Sequence, residues 1–300
     1  MSISPKYKWR DDELRALAER GLKLGTRGGY DRFNRVQPCY TREHTSVQAV
    51  AKAVQKGSSE AVVLQRLLDL SCSVSNVIPT EIVECEHSTL LIMPFLRSVR
   101  TAYPNSLSME QYLQLFTQMI DSLSDMHERN IAFIDIDTDN MVWSEKAFSF
   151  NSCDIKAGSL FYIDFGSARQ LPAGPGSGVT LADGRVLGGH FKPPEGEEDL
   201  DPYAYDIYCL GGTLKSICQN VQNMAPQMGW SIHFPLSLHC FIDVLHNSDP
   251  AQRPPIRLAK RLWSELRNWI TVMKEIPTRT PAQTDAIDMK MWQTVSGRFL

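Results

Sequence analysis

The sequence predicts an α+β chain of two lobes, and three observations carry that prediction. Strand-like apolar runs crowd the first third, at "SVQAVAKAV" and "STLLIMPFL". Helical periodicity dominates the last two thirds, most clearly in "SMEQYLQLFTQMIDSLSDMHERN". Between them lie an acidic stretch, "NIAFIDIDTDNMVW", and a Gly/Pro-rich segment from Pro172 to Asp201. Strand-rich and helix-rich blocks that follow one another, rather than alternate, read as α+β.

Element by element, "DDELRALAERGLKL" reads as a short helix followed by a glycine-containing segment. "SVQAVAKAV" reads as a strand from its small and β-branched residues. "GSSEAVVLQRLLDL" is helical, with Ser58 or Ser59 as cap and Leu64, Leu67 and Leu68 at helical spacing. "STLLIMPFL" is a buried strand stopped by Pro94. The strongest helix puts Tyr112, Leu113, Phe116, Met119, Ile120 and Leu123 on one stripe. Two extended apolar runs follow, at 131–143 and 160–165. The long loop after them is expected to be functional, as long loops in compact domains usually are. Helical stretches are expected at 203–220, 236–246 and 256–273, and a polar, Pro-containing, loosely held tail at 276–300.

Composition removes several classes of function. With 43% apolar and 22% charged residues, the chain has an ordinary globular composition. The longest uninterrupted apolar stretch, Leu90–Leu96, is too short to span a bilayer. The N-terminus lacks the apolar core of a signal peptide, so the cytoplasm, or the nucleus, is the expected location. A net charge of -3 gives no electrostatic case for nucleic acid or an acidic membrane. Seven cysteines with no CxxC fit free thiols that behave as small buried hydrophobes.

The acidic stretch places Asp135, Asp137 and Asp139 at alternate positions, then Asn140. D-x-D-x-D opens an EF-hand calcium loop, which then needs Gly at position six and Glu at position twelve. Asn140 and Lys146 stand there instead, so that reading fails. A better match comes from spacing. Asp135 followed five residues later by Asn140, then Asp164-Phe165-Gly166, resembles the protein-kinase catalytic loop and DFG motif. "AVAK" (49–52) resembles the kinase V-A-I-K strand, and Glu60 lies in the first turn of the next helix. "KPPE" (192–195) resembles A-P-E, "DIYCLGG" (206–212) resembles D-x-W-S-x-G, and "SDPAQRP" (248–254) resembles the family's DP..RP element. The resemblance covers about residues 24–266 and, by the short gap from Lys52 to Glu60 and the Pro in "LIMPFL", is closest to the divergent protein-kinase-like proteins of mushroom-forming fungi.

That resemblance implies a bilobal protein-kinase fold: an N-lobe with N-terminal extension at 1–95, a C-lobe at 96–275 and a tail at 276–300. It implies ATP and Mg²⁺ in the interlobe cleft. Catalysis would fall to Lys52, Asp135, Asn140 and Asp164, with Asn140 and Asp164 as metal ligands. Lys52 would meet the phosphates, held by Glu60. Gly25, Gly28, Gly29, Val36, Val50, Met93, Phe95 and Leu96 would enclose the nucleotide. Asp206 would brace the catalytic loop, and Arg253 would pair with Glu195. His127 is expected to be structural. The implied activity is slow transfer of the ATP γ-phosphate to a Ser/Thr hydroxyl of a protein substrate, by a monomer. Two alternatives stand beside it: a pseudokinase acting as a binding or scaffolding module, and a small-molecule phosphotransferase of the aminoglycoside-kinase type. The third shares D-x-x-x-x-N and the later Asp but lacks the Pro-Pro-Glu, Asp206 and Arg253 set.

Four departures from the family pattern bear on activity. Phe133 and Ile134 replace the His and Arg before the catalytic Asp, and Ile134 cannot grip a phosphate on Ser177 or Thr180. The glycine-rich loop, "LGTRGGYDRFNRV", matches only with an insertion; Asn34 there can supply a left-handed residue. Asp137 and Asp139 occupy the two positions where kinases place a cation toward the γ-phosphate. A like-charge contact near 4 Å costs about 4 kcal/mol at an effective dielectric of 20, so the two carboxylates must point away, share Mg²⁺, or slow the reaction.

Overall fold

The computed structural model describes residues 6–25, 29–41, 43, 46–69, 76–102, 107–182, 191–224, 232–273 and 281–299. In chain order the elements are α1 (Asp11–Glu19), β1 (Leu22–Leu24), β2 (Val36–Thr41), β3 (Ala49–Gln55), α2 (Ser59–Asp69), β4 (Glu81–Glu84), β5 (Ser88–Pro94), β6 (Arg97–Ser98), α3 (Val99–Ala102), α4 (Met109–Glu128), β7 (Ile131–Ala132), β8 (Met141–Trp143), β9 (Phe148–Phe150), β10 (Cys153–Ile155), β11 (Leu160–Tyr162), β12 (Arg169–Gln170), α5 (Pro202–Met224), α6 (Leu236–Leu245), α7 (Ile256–Met273) and α8 (Pro281–Phe299). Single 3₁₀ turns sit at Thr138–Asn140 and Pro250–Gln252. The chain is mixed α+β, with its strands concentrated toward the N-terminus and its long helices toward the C-terminus. It divides into two compact units, Met1–Arg97 with Ser144–Gly166, and Ser98–Trp143 with Ser167–Leu300.

The first unit is built on an antiparallel five-stranded sheet in the order β1-β2-β3-β5-β4. β3 is central, and its alternation buries Ala49, Ala51 and Ala53 on one face while Val50 and Lys52 take the other. Small residues at the buried positions let α1 pack closely: Ala16 and Leu17 join Ala49, Ala51, Ala53, Leu90 and Ile92 in one cluster. The start of α1 is held by Glu13, which is fully buried and accepts from the Arg10 N–H (2.9 Å), the Tyr7 hydroxyl (2.5 Å) and the Ser88 hydroxyl (2.5 Å). The predicted helix over "DDELRALAERGLKL" stops earlier than expected, because Gly21 turns the chain at φ 70° and "LKL" pairs with β2 as a strand.

Residues 144–166, expected with the later part of the chain, group with the first unit. The anchor is a parallel bridge between Val77 and Tyr162, with the Tyr162 N–H donating to the Asn76 carbonyl at 3.1 Å. The β9–β10 hairpin, absent from the sequence expectation, turns at Asn151 (φ 48°) and Ser152 (φ 63°). Asn and Ser are turn-favouring residues, but the hairpin's two strands are only three residues each, too short to show alternation.

The second unit packs α4 against α7, with Phe116 and Trp263 ring centroids 6.0 Å apart and the Trp263 indole donating to the Thr117 hydroxyl at 2.9 Å. Every residue of the α4 stripe is buried, and burying each such large side chain contributes about 1.5–3 kcal/mol. The capping box at its start is complete: the Ser108 hydroxyl accepts from the Gln111 N–H, and the Gln111 side chain accepts from the Ser108 N–H.

The loosely held tail expected at 276–300 is corrected over its described part. Residues 281–299 form α8, with Pro281 at the first helical position, where its missing N–H is harmless. Asp288 is buried and accepts from the Ser237 N–H (2.7 Å), the Ser237 hydroxyl (2.6 Å) and the Trp269 indole (3.1 Å). One carboxylate thus ties α8 to the start of α6 and the end of α7. Among the described residues, no helix is long and apolar enough to cross a membrane. Of the described cysteines, Cys39, Cys85, Cys209 and Cys218 are buried, Cys240 is half-buried and Cys153 is exposed, all as free thiols.

Candidate active site

In the first unit, three of the expected residues meet. Lys52 leaves the open face of β3, and its Nζ lies 2.6 Å from Glu60 Oε1 and 2.8 Å from Asp164 Oδ1. Glu60 is positioned by the first turn of α2, where the Ser58 hydroxyl accepts from the Ala61 N–H. Asp164 stands at φ 60°, a left-handed conformation that Asp tolerates better than most residues and that turns its carboxylate to the lysine. A Cβ on Gly166 would fall 3.1 Å from Asp164 Oδ1 and 3.7 Å from Glu60 Oε2, so glycine leaves room beside the triad.

The charges in this triad are strongly coupled. Burial alone would lower the Lys52 pKa, but the charges of Glu60 and Asp164 and their hydrogen bonds outweigh it and raise it. Burial raises the Glu60 carboxyl, against the pull of Lys52 and with a push from Asp164. Burial would also raise Asp164, yet Lys52 and the Gly166 N–H hold it below the ordinary carboxylate range. The result is an ionised, half-exposed carboxylate beside a fixed cation. A lysine held this way is a point charge suited to an anionic ligand such as phosphate.

The expected nucleotide-enclosing residues of this unit follow from strand register. Val36 and Leu91 flank Lys52, and Pro38 and Met93 flank Val50. Val36, Val50, Met93 and Leu96 are half-buried, and Phe95 is exposed. Gly25 and Gly29 have reasons of their own. A Cβ on Gly25 would meet the Tyr40 ring at 2.8 Å, and one on Gly29 would meet the Val36 carbonyl at 2.5 Å. Their requirement for glycine is therefore met by close approach to β2, without any ligand. Gly28 lies outside the described residues. Asn34 sits at φ 66°, in the left-handed region its side chain tolerates. Tyr30, which the sequence did not single out, is 57% exposed and stacks on Phe95, 39% exposed.

In the second unit, Asp206 organises the acidic loop. Buried on α5, it accepts from the N–H groups of Phe133 (2.8 Å) and Ile134 (2.6 Å), and its Oδ2 lies 2.9 Å from His127 Nε2. Ile134 is held at φ 74°, costly for a β-branched residue, and Asp206 supplies the bond that keeps it there. The Thr213 hydroxyl donates to the Ile136 carbonyl at 3.1 Å, adding a second tie from α5. Asp135 is half-buried, and its carbonyl accepts from Asn140 Nδ2 at 2.9 Å. That bond ties the Asn140 amide nitrogen to the loop backbone.

The two unusual carboxylates have local partners. Asp137 Oδ1 accepts from the Asp139 N–H at 2.8 Å and caps the 3₁₀ turn. Asp139 Oδ2 lies 2.9 Å from Arg100 Nη1, both side chains being exposed. Arg100 was not legible as a partner, because 39 residues separate it from Asp139 and no motif links them. Arg253, whose side chain is fully buried, grips Glu195 through two bonds of 2.7 Å and also donates to the Asn247 carbonyl at 2.8 Å. Its guanidinium lies 4.7 Å from the centre of the Tyr208 ring.

Among the described residues, no group of three or more His, Cys, Asp or Glu is gathered as a metal site. Mg²⁺ does not need one, since it is commonly bound through one or two carboxylates plus substrate phosphates and waters. Asp164 and Asn140 offer hard oxygens of the right type. Lys52 and Gly166 both bond Asp164 Oδ1. Asp164 and Asn140 are each a donor of the type this ion accepts. No protein-family model matches the chain, and no curated protein matches its sequence.

Proposed function

We propose that the chain is a divergent protein kinase whose two units are the lobes of a protein-kinase fold, transferring the ATP γ-phosphate to a protein Ser/Thr hydroxyl. The observation that carries this is the Lys52–Glu60–Asp164 triad, 2.6 and 2.8 Å on its two sides. Phosphoryl transfer asks a protein chiefly for positioned charge. Lys52 would bind phosphate, with Glu60 holding the ammonium in place. Asp164 and Asn140 would hold Mg²⁺, which when bound neutralises the charge of the phosphates. Asp135 would orient the acceptor hydroxyl and take its proton.

The Asp206 brace and the Glu195–Arg253 pair favour the protein-kinase class over the aminoglycoside-kinase class, which lacks them. A second reading, a nucleotide-binding pseudokinase, is favoured by one observation. Asp137 and Asp139 stand where a cation is expected, and losing one transition-state donor typically costs ~10²–10³ in rate. Asp137 as a turn cap and Asp139 on Arg100 are turned to local partners, which supports slow transfer rather than none.

The test is nucleotide binding by thermal shift, with and without Mg²⁺. Wild type should be stabilised by Mg²⁺–ATP, Lys52→Met much less, and Asp164→Asn should lose the Mg²⁺ dependence. No stabilisation of the wild type by nucleotide under any condition would overturn the proposal.

A further inference from the structure

We propose that Tyr30 and Phe95 form an aromatic platform that takes the base of the nucleotide by its ring face, so that the site discriminates little between adenine and guanine. This rests on the phosphotransfer reading of the Lys52 triad. The two rings are nearly parallel, at 16° with centroids 6.2 Å apart. Both belong to the small set of large apolar side chains left exposed among the described residues, at 57% and 39%. Exposed aromatic surface of this kind favours a ligand with a flat π-face, and base stacking tolerates any base because every base has such a face.

Position supports the same conclusion. Strand register puts Lys52 opposite Leu91 and Val50 opposite Met93, on one face of the sheet. Phe95 directly follows the end of β5, four residues beyond Leu91 in the lysine row, a reach of roughly 13 Å in extended chain. Tyr30 is tied to the neighbouring strand, its N–H donating to the Val36 carbonyl at 2.8 Å, and Val36 is the other partner of Lys52. Phosphate at Lys52 and base at the aromatic pair would thus lie at opposite ends of one surface within the first unit.

Two backbone positions beside the rings cannot donate to a base edge. Pro94 has no N–H, and the Phe95 N–H donates to the Gln48 carbonyl at 3.2 Å. Edge discrimination relies on placed donors and acceptors, and leaving them unpaired is what rejects a wrong ligand. With the Pro94 donor absent and the Phe95 donor engaged, the ring faces carry the larger share of base binding.

The experiment measures binding of ATP, GTP and inorganic tripolyphosphate by calorimetry on wild type, Tyr30→Ala, Tyr30→Phe, Phe95→Ala and Lys52→Met. ATP and GTP should bind wild type within about threefold of each other, as stacking without edge reading predicts. Tyr30→Ala and Phe95→Ala should each weaken both nucleotides about tenfold, the loss that removing one stacking ring brings. Tyr30→Phe should restore most of what Tyr30→Ala loses. Tripolyphosphate should respond to Lys52→Met and to neither aromatic variant. A strong preference of wild type for ATP over GTP, ATP binding untouched by Tyr30→Ala, or an equal loss for tripolyphosphate would overturn the platform while leaving the Lys52 reading intact. Failure of wild type to bind any of the three, or indifference of all three to Lys52→Met, would overturn both.

Discussion

Arg253 holds Glu195 in a two-pronged grip, 2.7 Å on each side, with the guanidinium fully buried. Removing one partner leaves a buried charge uncompensated, which typically costs ~3–5 kcal/mol. Arg253→Ala should therefore lower the melting temperature sharply even without nucleotide. Glu195→Gln, which keeps one acceptor, should cost less. Equal melting temperatures for wild type and Arg253→Ala would show that the pair does not brace the fold.

Lys52→Met should convert the triad into an acid-stabilised site. Lys52 is what pulls the Glu60 pKa down against burial. Without it, Glu60 in the folded chain rises further above its ordinary value of 4.5. A folded pKa raised above the unfolded one means that stability falls as pH climbs through the folded value. Chemical denaturation should therefore find the variant's deficit against wild type large at neutral pH and shrinking as pH falls toward the ordinary range of glutamate. A pH-independent deficit would contradict the coupling.

Asp137 and Asp139 should respond differently to substitution. Asp139→Asn should change the transfer rate little, because an exposed pair such as Asp139–Arg100 contributes only ~0–1 kcal/mol. Asp137→Lys removes the cap of the 3₁₀ turn, costing about 1 kcal/mol, and adds the cation that kinases carry there. Its melting temperature should fall while its transfer rate rises. A rate unchanged or lowered in a folded Asp137→Lys variant would contradict the placement of that residue near the transferred phosphate.

Asp288→Ala should destabilise the second unit by about 2–3 kcal/mol, since it strips a buried carboxylate from three donors. Deleting residues 281–299 should do more. A melting temperature that survives both changes would mean that α8 is dispensable to the fold.

How much of this was legible in the sequence depended on whether a contact was local or came from motif spacing. The α4 stripe, the Ser108–Gln111 box and the β3 alternation lie within one element, and periodicity and capping chemistry reveal them. Asp164 lies 112 residues from Lys52, yet the AVAK and DFG motifs in a known order point to both, and Glu60 follows Lys52 in the next helix. What stayed hidden were partners set only by tertiary approach. Arg100 on Asp139 and Asp288 on Ser237 have no sequence signal, so neither the ion pair nor the docking of α8 can be read from the residues alone. The β9–β10 hairpin stays hidden because its strands, of three residues each, are too short to show alternation. Gly25 and Gly29 matched a phosphate-loop pattern, although close packing on β2 already accounts for them.

The central claim is phosphoryl transfer with Asp135 as the base, and it is tested most directly by measuring labelled γ-phosphate transfer from ATP to protein Ser/Thr by wild type and Asp135→Asn, with nucleotide binding read in parallel. Wild type should transfer slowly with Mg²⁺, and Asp135→Asn should bind nucleotide as before while losing ~10²–10⁴ in rate. Wild-type transfer that survives Asp135→Asn, or nucleotide binding with no transfer by the wild type, would contradict it.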